Sequence, residues 1–245
     1  MSDLAVSVAR SSIPAVVGVP SKFMLDPETY AAGGAAGHEG MSFYVAGRGG
    51  ALGDVAASVV VEEFGVFEPG MVGAAWEVSE SVESRRAAAQ RFAGAAAAWA
   101  DSHLDPSALD YERLAELAGR VLDQADLSGS GLASGWVALD EPTSPAALAL
   151  HRMNGLRELR FARHRAELGA AGVGPLDAVM VASPFMAGIF GWPEPHPEPE
   201  QSVRDRWEAA EAATDERFAA DLSVLSADEL GEFEQLCAAF ERAAS

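Results

Sequence analysis

Apolar residues recur at helical spacing through most of this chain, and no β-branched run is long enough to make a convincing strand. The two best runs, Ala15 to Val19 and Ser58 to Val61, are short, and alanine is abundant elsewhere. That pattern predicts an all-α, multi-helix protein with room for no more than a minor hairpin. Proline at every second position from Pro193 to Pro199 forbids helix there and disfavours a central strand. This stretch is expected to be an extended connector near the C-terminus.

Capping and breaking residues divide the rest. Asp26-Pro27 opens a helix through Tyr30 to Ala36. His38 to Gly47 reads as a second helix, stopped by Gly49-Gly50. Asp54 is expected to cap a helix ending at Phe64 and Gly65, and Glu68-Pro69 to open the one that carries Trp76. Long helices are expected over Glu80 to Ser102, Ser107 to Leu127 and Ser144 to about Leu168. A shorter one covers Asp177 to Gly188. Helices over about 200–222 and 227–244 finish the chain, the last with a Ser226/Glu229 capping box. Ser128-Gly129-Ser130-Gly131 is a flexible link. It separates two helical halves, 1–127 and 132–245, expected to pack as one compact unit.

The charge balance restricts partners. Asp plus Glu number 37 against 17 Lys plus Arg, a formal net charge of −20. Such a surface repels nucleic acid and anionic membranes at long range, so DNA is not an expected partner. The start, Met1 to Val19, has no basic stretch leading into a long apolar run, which argues against a signal peptide. No uninterrupted apolar run of membrane length occurs either. A cytoplasmic location is expected. The lone Cys237 permits no intramolecular disulfide and reads as a core residue. The five histidines do not show zinc spacing, and no phosphate or dinucleotide loop follows a strand. Neither metal nor cofactor is expected.

Two segments carry candidate chemistry. Residues 148–170 hold Arg152, Arg157, Arg160, Arg163 and Arg165 against Glu158 and Glu167, five minus two, or +3 within a −20 protein. Met153, Arg157, Arg160 and His164 share a helix face by their spacing. That face can line an anion pocket, since guanidinium grips sulfate, phosphate and carboxylate. It can equally pair with the acidic final helices, where residues 200–245 carry twelve acidic and four basic side chains. The second segment is His38-Glu39 with Tyr44 and Arg48. Arg48 falls in a glycine-rich turn whose amides can also face a ligand.

The block Phe43-Tyr44-Val45-Ala46-Gly47-Arg48-Gly49-Gly50-Ala51-Leu52-Gly53 resembles a large actinobacterial family of helix-turn-helix-like proteins. Phe64 to Pro69 and Trp76 resemble its following segment. The resemblance resumes from about Leu150 to Leu168 in His151, Leu156, Arg157, Glu158, Arg160 and His164. It departs at Leu159, Phe161, Ala162 and Arg163, where the family carries histidine, glycine, aspartate and glycine. Thr214-Asp215 and the final helices are similar to the family's end, itself like the dimerising helix of MarR-type regulators. The resemblance implies a winged-helix unit before the last helices. Here the proline connector stands in that place, so the DNA-reading part is expected to be shortened and the pocket reshaped.

The function expected from both lines is small-molecule binding, in the form of a cofactor-free enzyme of specialised metabolism. It would act by substitution or elimination at a sulfate or phosphate group. Ring closure to an aziridine is one such reaction, which would make the chain a biosynthetic offshoot of the family. Arg48, Arg157, Arg160 and His164 would hold the anionic substrate; Glu39, His151 and Tyr44 would carry protons. The alternatives are a winged-helix-type regulator or ligand sensor, and a non-catalytic subunit working with a partner. A homodimer or a small partner subunit is expected.

Overall fold

The computed structural model describes residues 2–245. They form thirteen α-helices, and no strand occurs among them. Both β-branched runs are helical. The first helical stretch runs from α1 (Asp3–Ser11) through π-helical turns at Pro14–Gly18 into α2 (Val19–Leu25). Pro14 has no N–H to continue the α-ladder, and the chain widens there until Val19 N–H donates to Pro14 O. By length and composition Asp3–Leu25 could cross a membrane, which corrects the expectation that no segment is that long and apolar. In this fold its Val8, Val16, Val19 and Phe23 are in the core.

Then follow α3 (Pro27–Ala36), α4 (Met41–Gly49), α5 (Ala57–Phe64) and α6 (Pro69–Ser79). Asp26 and Glu68 cap α3 and α6 with their side chains. Asp54, the expected cap of α5, is not one: Ala56 holds that position without a side-chain bond. Helix α4 starts at Met41, three residues later than expected, because Gly40 takes φ +49° and breaks the approach. His38 and Glu39 therefore lie in the loop before it.

The long helices are α7 (Arg85–His103), α8 (Tyr111–Gln124), α10 (Pro145–Ala170), α12 (Gln201–Leu222) and α13 (Ala227–Ala243). Shorter α9 (Gly131–Val137) and α11 (Pro175–Ala182) lie between them, with a 3₁₀ turn at Pro184–Met186. Ser84, Asp110 and Ser144 cap α7, α8 and α10, and Ser226 with Glu229 closes the capping box of α13. Helix α10 lies at the centre, against α7, α8, α9 and α12. It buries Leu150, Met153, Leu156 and Leu159 completely.

One hydrophobic cluster reaches from Ala5 to Phe240 and draws on both halves of the sequence. A smaller one joins Leu168, Val173, Ala178, Val203 and Ala210 between the end of α10, α11 and α12. Cys237 is buried in the main cluster, and burial pushes its thiol up. The proline connector is irregular, as expected. It is tied to the turn after α5 by Trp192 Nε1 donating to Val66 O at 2.9 Å.

The glycines of the Gly47–Gly50 block are packing points. A Cβ on Gly47 would stand 2.5 Å from Phe92, and one on Gly50 2.2 Å from the Arg85 carbonyl oxygen. Arg48 itself lies inside α4, so the expected ligand-facing glycine turn is instead a close helix–helix contact.

Candidate functional site

Helix α4 carries Tyr44 and Arg48 one turn apart, and α10 carries Arg157 and Phe161 at the same spacing. Where the two helices face each other they border a cavity of about 130 Å³. Its walls come from separate segments: Met24 and Leu25 of α2, Tyr30 of α3, Phe67 of the α5–α6 loop, and Met186, Ile189 and Phe190 after α11.

Glu158 organises the charged end. Arg48 donates to it from Nε at 2.8 Å and from Nη2 at 2.7 Å, a two-pronged pair. Arg157 Nη1 donates to the same carboxylate at 2.8 Å. Arg48 is 2% exposed and Glu158 1% exposed. The Arg48 guanidinium is sandwiched between the rings of Phe64, 4.7 Å away, and Phe161, 4.8 Å away.

Burial pulls the Arg48 guanidinium down, but Glu158, then Tyr44, hold it above its ordinary range. Burial pushes Glu158 up, and the charges of Arg48 and Arg157 more than reverse this, leaving its carboxyl below the usual range. Arg48 and Glu158 are therefore both ionised at neutral pH, and a guanidinium such as that of Arg157 does not lose its proton in proteins. Two positive charges and one negative leave +1 at the end of an otherwise apolar enclosure. Arg157 Nε is buried with no hydrogen-bond partner among the described residues. Tyr30 donates only to Met41 Sδ, at 3.9 Å, and burial with Tyr44 nearby pushes its phenol up to about 12.

Of the residues singled out from sequence, this cavity brings together Tyr44, Arg48 and Arg157. Four others lie elsewhere. Glu39 is exposed in the α3–α4 loop and borders a separate surface depression. His151 sits six residues before Arg157, stacked on Trp136 with ring centroids 5.1 Å apart, beside a cavity of about 50 Å³. Its Nε2 is buried without a partner, and burial pushes its ring down to about 4, so it is neutral.

Arg160 turns to α12, where it pairs with Glu211 and, at 3.1 Å, with Asp215. His164 follows it, 3.1 Å from Thr214 Oγ1 and 3.2 Å from Glu211 Oε2, and burial lowers its pKa. Pairing with the acidic final helices thus accounts for Arg160 and His164, and for Arg163, which holds Asp221. It does not account for Arg157. The residue that sequence reasoning passed over is Glu158. Its signals were its place in the family-like stretch from Leu156 to His164 and an acid set among arginines on a helix otherwise rich in leucine.

Scaffold and cavity together define an all-helical protein with a mainly apolar, cation-ended pocket. The chain belongs to a helix-turn-helix family, whose model matches residues 10–217. No curated protein and no solved structure matches it significantly.

Proposed function

We propose that this chain is a small-molecule-binding protein whose ligand carries a negative charge and sits in the cavity between α2, α4 and α10. One observation carries this: Arg48 and Arg157 share a single buried carboxylate, so an apolar enclosure keeps an unmatched positive charge. An uncompensated charge out of water is costly, and an anionic group bound beside it relieves that cost. Structural pairing alone would be met by one arginine per glutamate. Catalysis at the bound anion is the furthest extension of the same proposal. The arginines would stabilise a departing anionic group, and Tyr44, the one proton-carrying residue foreseen from sequence that borders the cavity, would relay the proton.

The test is thermal unfolding of the wild type and of Arg157→Gln against a panel of small anions. Arg157 is the better target because Arg48 still pairs with Glu158 in that variant. A ligand at about a hundred times its dissociation constant stabilises by roughly 2.7 kcal/mol. We expect such a shift in the wild type and its loss in the variant. Equal shifts in both proteins, or none in either, would sink the proposal.

Family membership favours a second function, a regulator that reports ligand occupancy to DNA. Fluorescence anisotropy with duplex DNA near 50 mM salt tests it, because phosphate contacts make such binding strong at low salt and steeply salt-dependent.

A further inference from the structure

The shape and charge of the cavity restrict its ligand further. We infer that it selects a monocarboxylate with one ring, or an aliphatic body of similar size, and rejects divalent anions such as sulfate and phosphate. This rests on the proposal that the cavity binds an anion at all.

Charge is the first ground. Arg48 plus Arg157 minus Glu158 gives +1, which one carboxylate neutralises. A dianion would leave a net negative charge against walls made of Met24, Met41, Phe67, Phe161 and Phe190, which offer it no hydrogen bond. The −20 charge of the whole chain opposes a dianion more strongly than a monoanion.

Size is the second. The cavity holds about 130 Å³, close to the ~150 Å³ of an apolar protein cavity that takes up benzene. Two fused rings or a long chain would not fit without opening it. The lining is the third: methionine and aromatic side chains surround flat or short apolar bodies well and offer a phosphate nothing. Only the arginine end, Ser21 and the hydroxyls of Tyr30 and Tyr44 are polar. Tyr30 donates only to the Met41 sulfur, a weak acceptor 3.9 Å away, so its O–H is free to turn to a carboxylate oxygen.

The rim is the fourth. Leu25 and Ile189 border the cavity yet are 55% and 46% exposed, and Phe185, beside Met186, is 79% exposed. An apolar rim around an apolar cavity suits a ligand whose greater part is apolar.

The experiment is calorimetric titration of the full chain with benzoate, benzamide, sulfate and inorganic phosphate, repeated on Arg157→Gln and Met186→Trp. Benzamide keeps the ring and removes the charge. Met186→Trp changes no charge and fills the space from an exposed turn, so it serves if Arg157→Gln fails to fold. We expect benzoate to bind the wild type roughly ten- to a hundred-fold more tightly than benzamide, the range for a hydrogen bond to a charged group. Arg157→Gln should lose that preference, and Met186→Trp should weaken benzoate and benzamide alike. Benzamide binding as well as benzoate would overturn the monocarboxylate assignment. Binding of sulfate or phosphate, lost in Arg157→Gln while benzoate stays silent, would overturn it too but leave the anion pocket standing. If none of the four binds while another small anion raises the unfolding temperature of the wild type, the monocarboxylate assignment is wrong. Silence in both experiments removes the pocket itself.

Discussion

Arg48 and Glu158 are both almost fully buried, yet losing one is not the same as losing the other. Glu158 neutralises two guanidiniums, so Glu158→Gln strands two positive charges in an apolar enclosure. Arg48→Met leaves the carboxylate still paired with Arg157. We expect Glu158→Gln to cost about 3–5 kcal/mol in urea unfolding, in line with breaking a buried pair, and Arg48→Met to cost clearly less. The opposite order would mean that Arg157 does not share the carboxylate. His151 couples stability to pH. Burial depresses its folded pKa to about 4 from an ordinary value near 6.5. The folded state then favours the neutral ring, and the unfolded chain binds the proton first as pH falls. Stability from this residue is fully present above about pH 6.5 and is lost between there and about pH 4, of the order of 3 kcal/mol in all. His151→Phe should flatten that slope in unfolding measured from pH 7 to 4, since the ring against Trp136 needs shape but no charge. An unchanged slope would place the titration elsewhere.

Elements are held by caps at their ends and by glycine contacts between them. Ser226→Ala removes the side chain that accepts from Glu229 N and should cost about 1 kcal/mol, read as a lower unfolding midpoint. Gly135→Ala is a harsher change. Its Cβ would stand 2.0 Å from the Ala51 carbonyl oxygen, so α9 must move off the turn that follows α4. Overpacking of that kind costs typically 1–3 kcal/mol, and a neutral Gly135→Ala would show that α9 can shift freely. These two features also mark what was legible in the sequence. Caps act within four residues, so Asp26, Glu68, Ser144 and Ser226 announced their helices. Helix α9 was not anticipated, because a Gly- and Ser-rich stretch of seven residues has no local reason to be helical. Trp136, donating to the His151 carbonyl and buried against α10, supplies that reason from a distance. The helical stretch before Leu25 was obscured by Pro14 and Pro20, which look like breakers. Widened turns and burial in the core accommodate them.

Across the whole molecule, ion pairs take up nearly all the positive charge. Among the described residues, only Arg204, Arg206 and Arg242 of the arginines lack a carboxylate partner, and Lys22 donates to Ala244 O near the chain end. Those cations are too few to counter a net charge of −20. We expect no salt-dependent association with duplex DNA near 50 mM salt. Measurable binding would require carboxylates to be displaced from arginines and would revive the regulator. The candidate site was half legible for a related reason. Tyr44, Arg48 and Arg157 could be picked out by residue type and helical spacing. The methionines and phenylalanines that complete the cavity come from five separated segments, and no local pattern says that they converge. The most recognisable stretch, Gly47 to Gly50, serves the scaffold: Gly47 makes room for the Phe92 side chain and Gly50 for the Arg85 backbone. Arg48 apart, that stretch is thus distinct from the residues that would choose a ligand. If the cavity binds as proposed, exchanges at Met24, Met186 or Phe190 would retune which molecule is admitted while the architecture stays the same. Kinship, for a protein built this way, is inherited as a frame, and chemical taste is free to drift inside it.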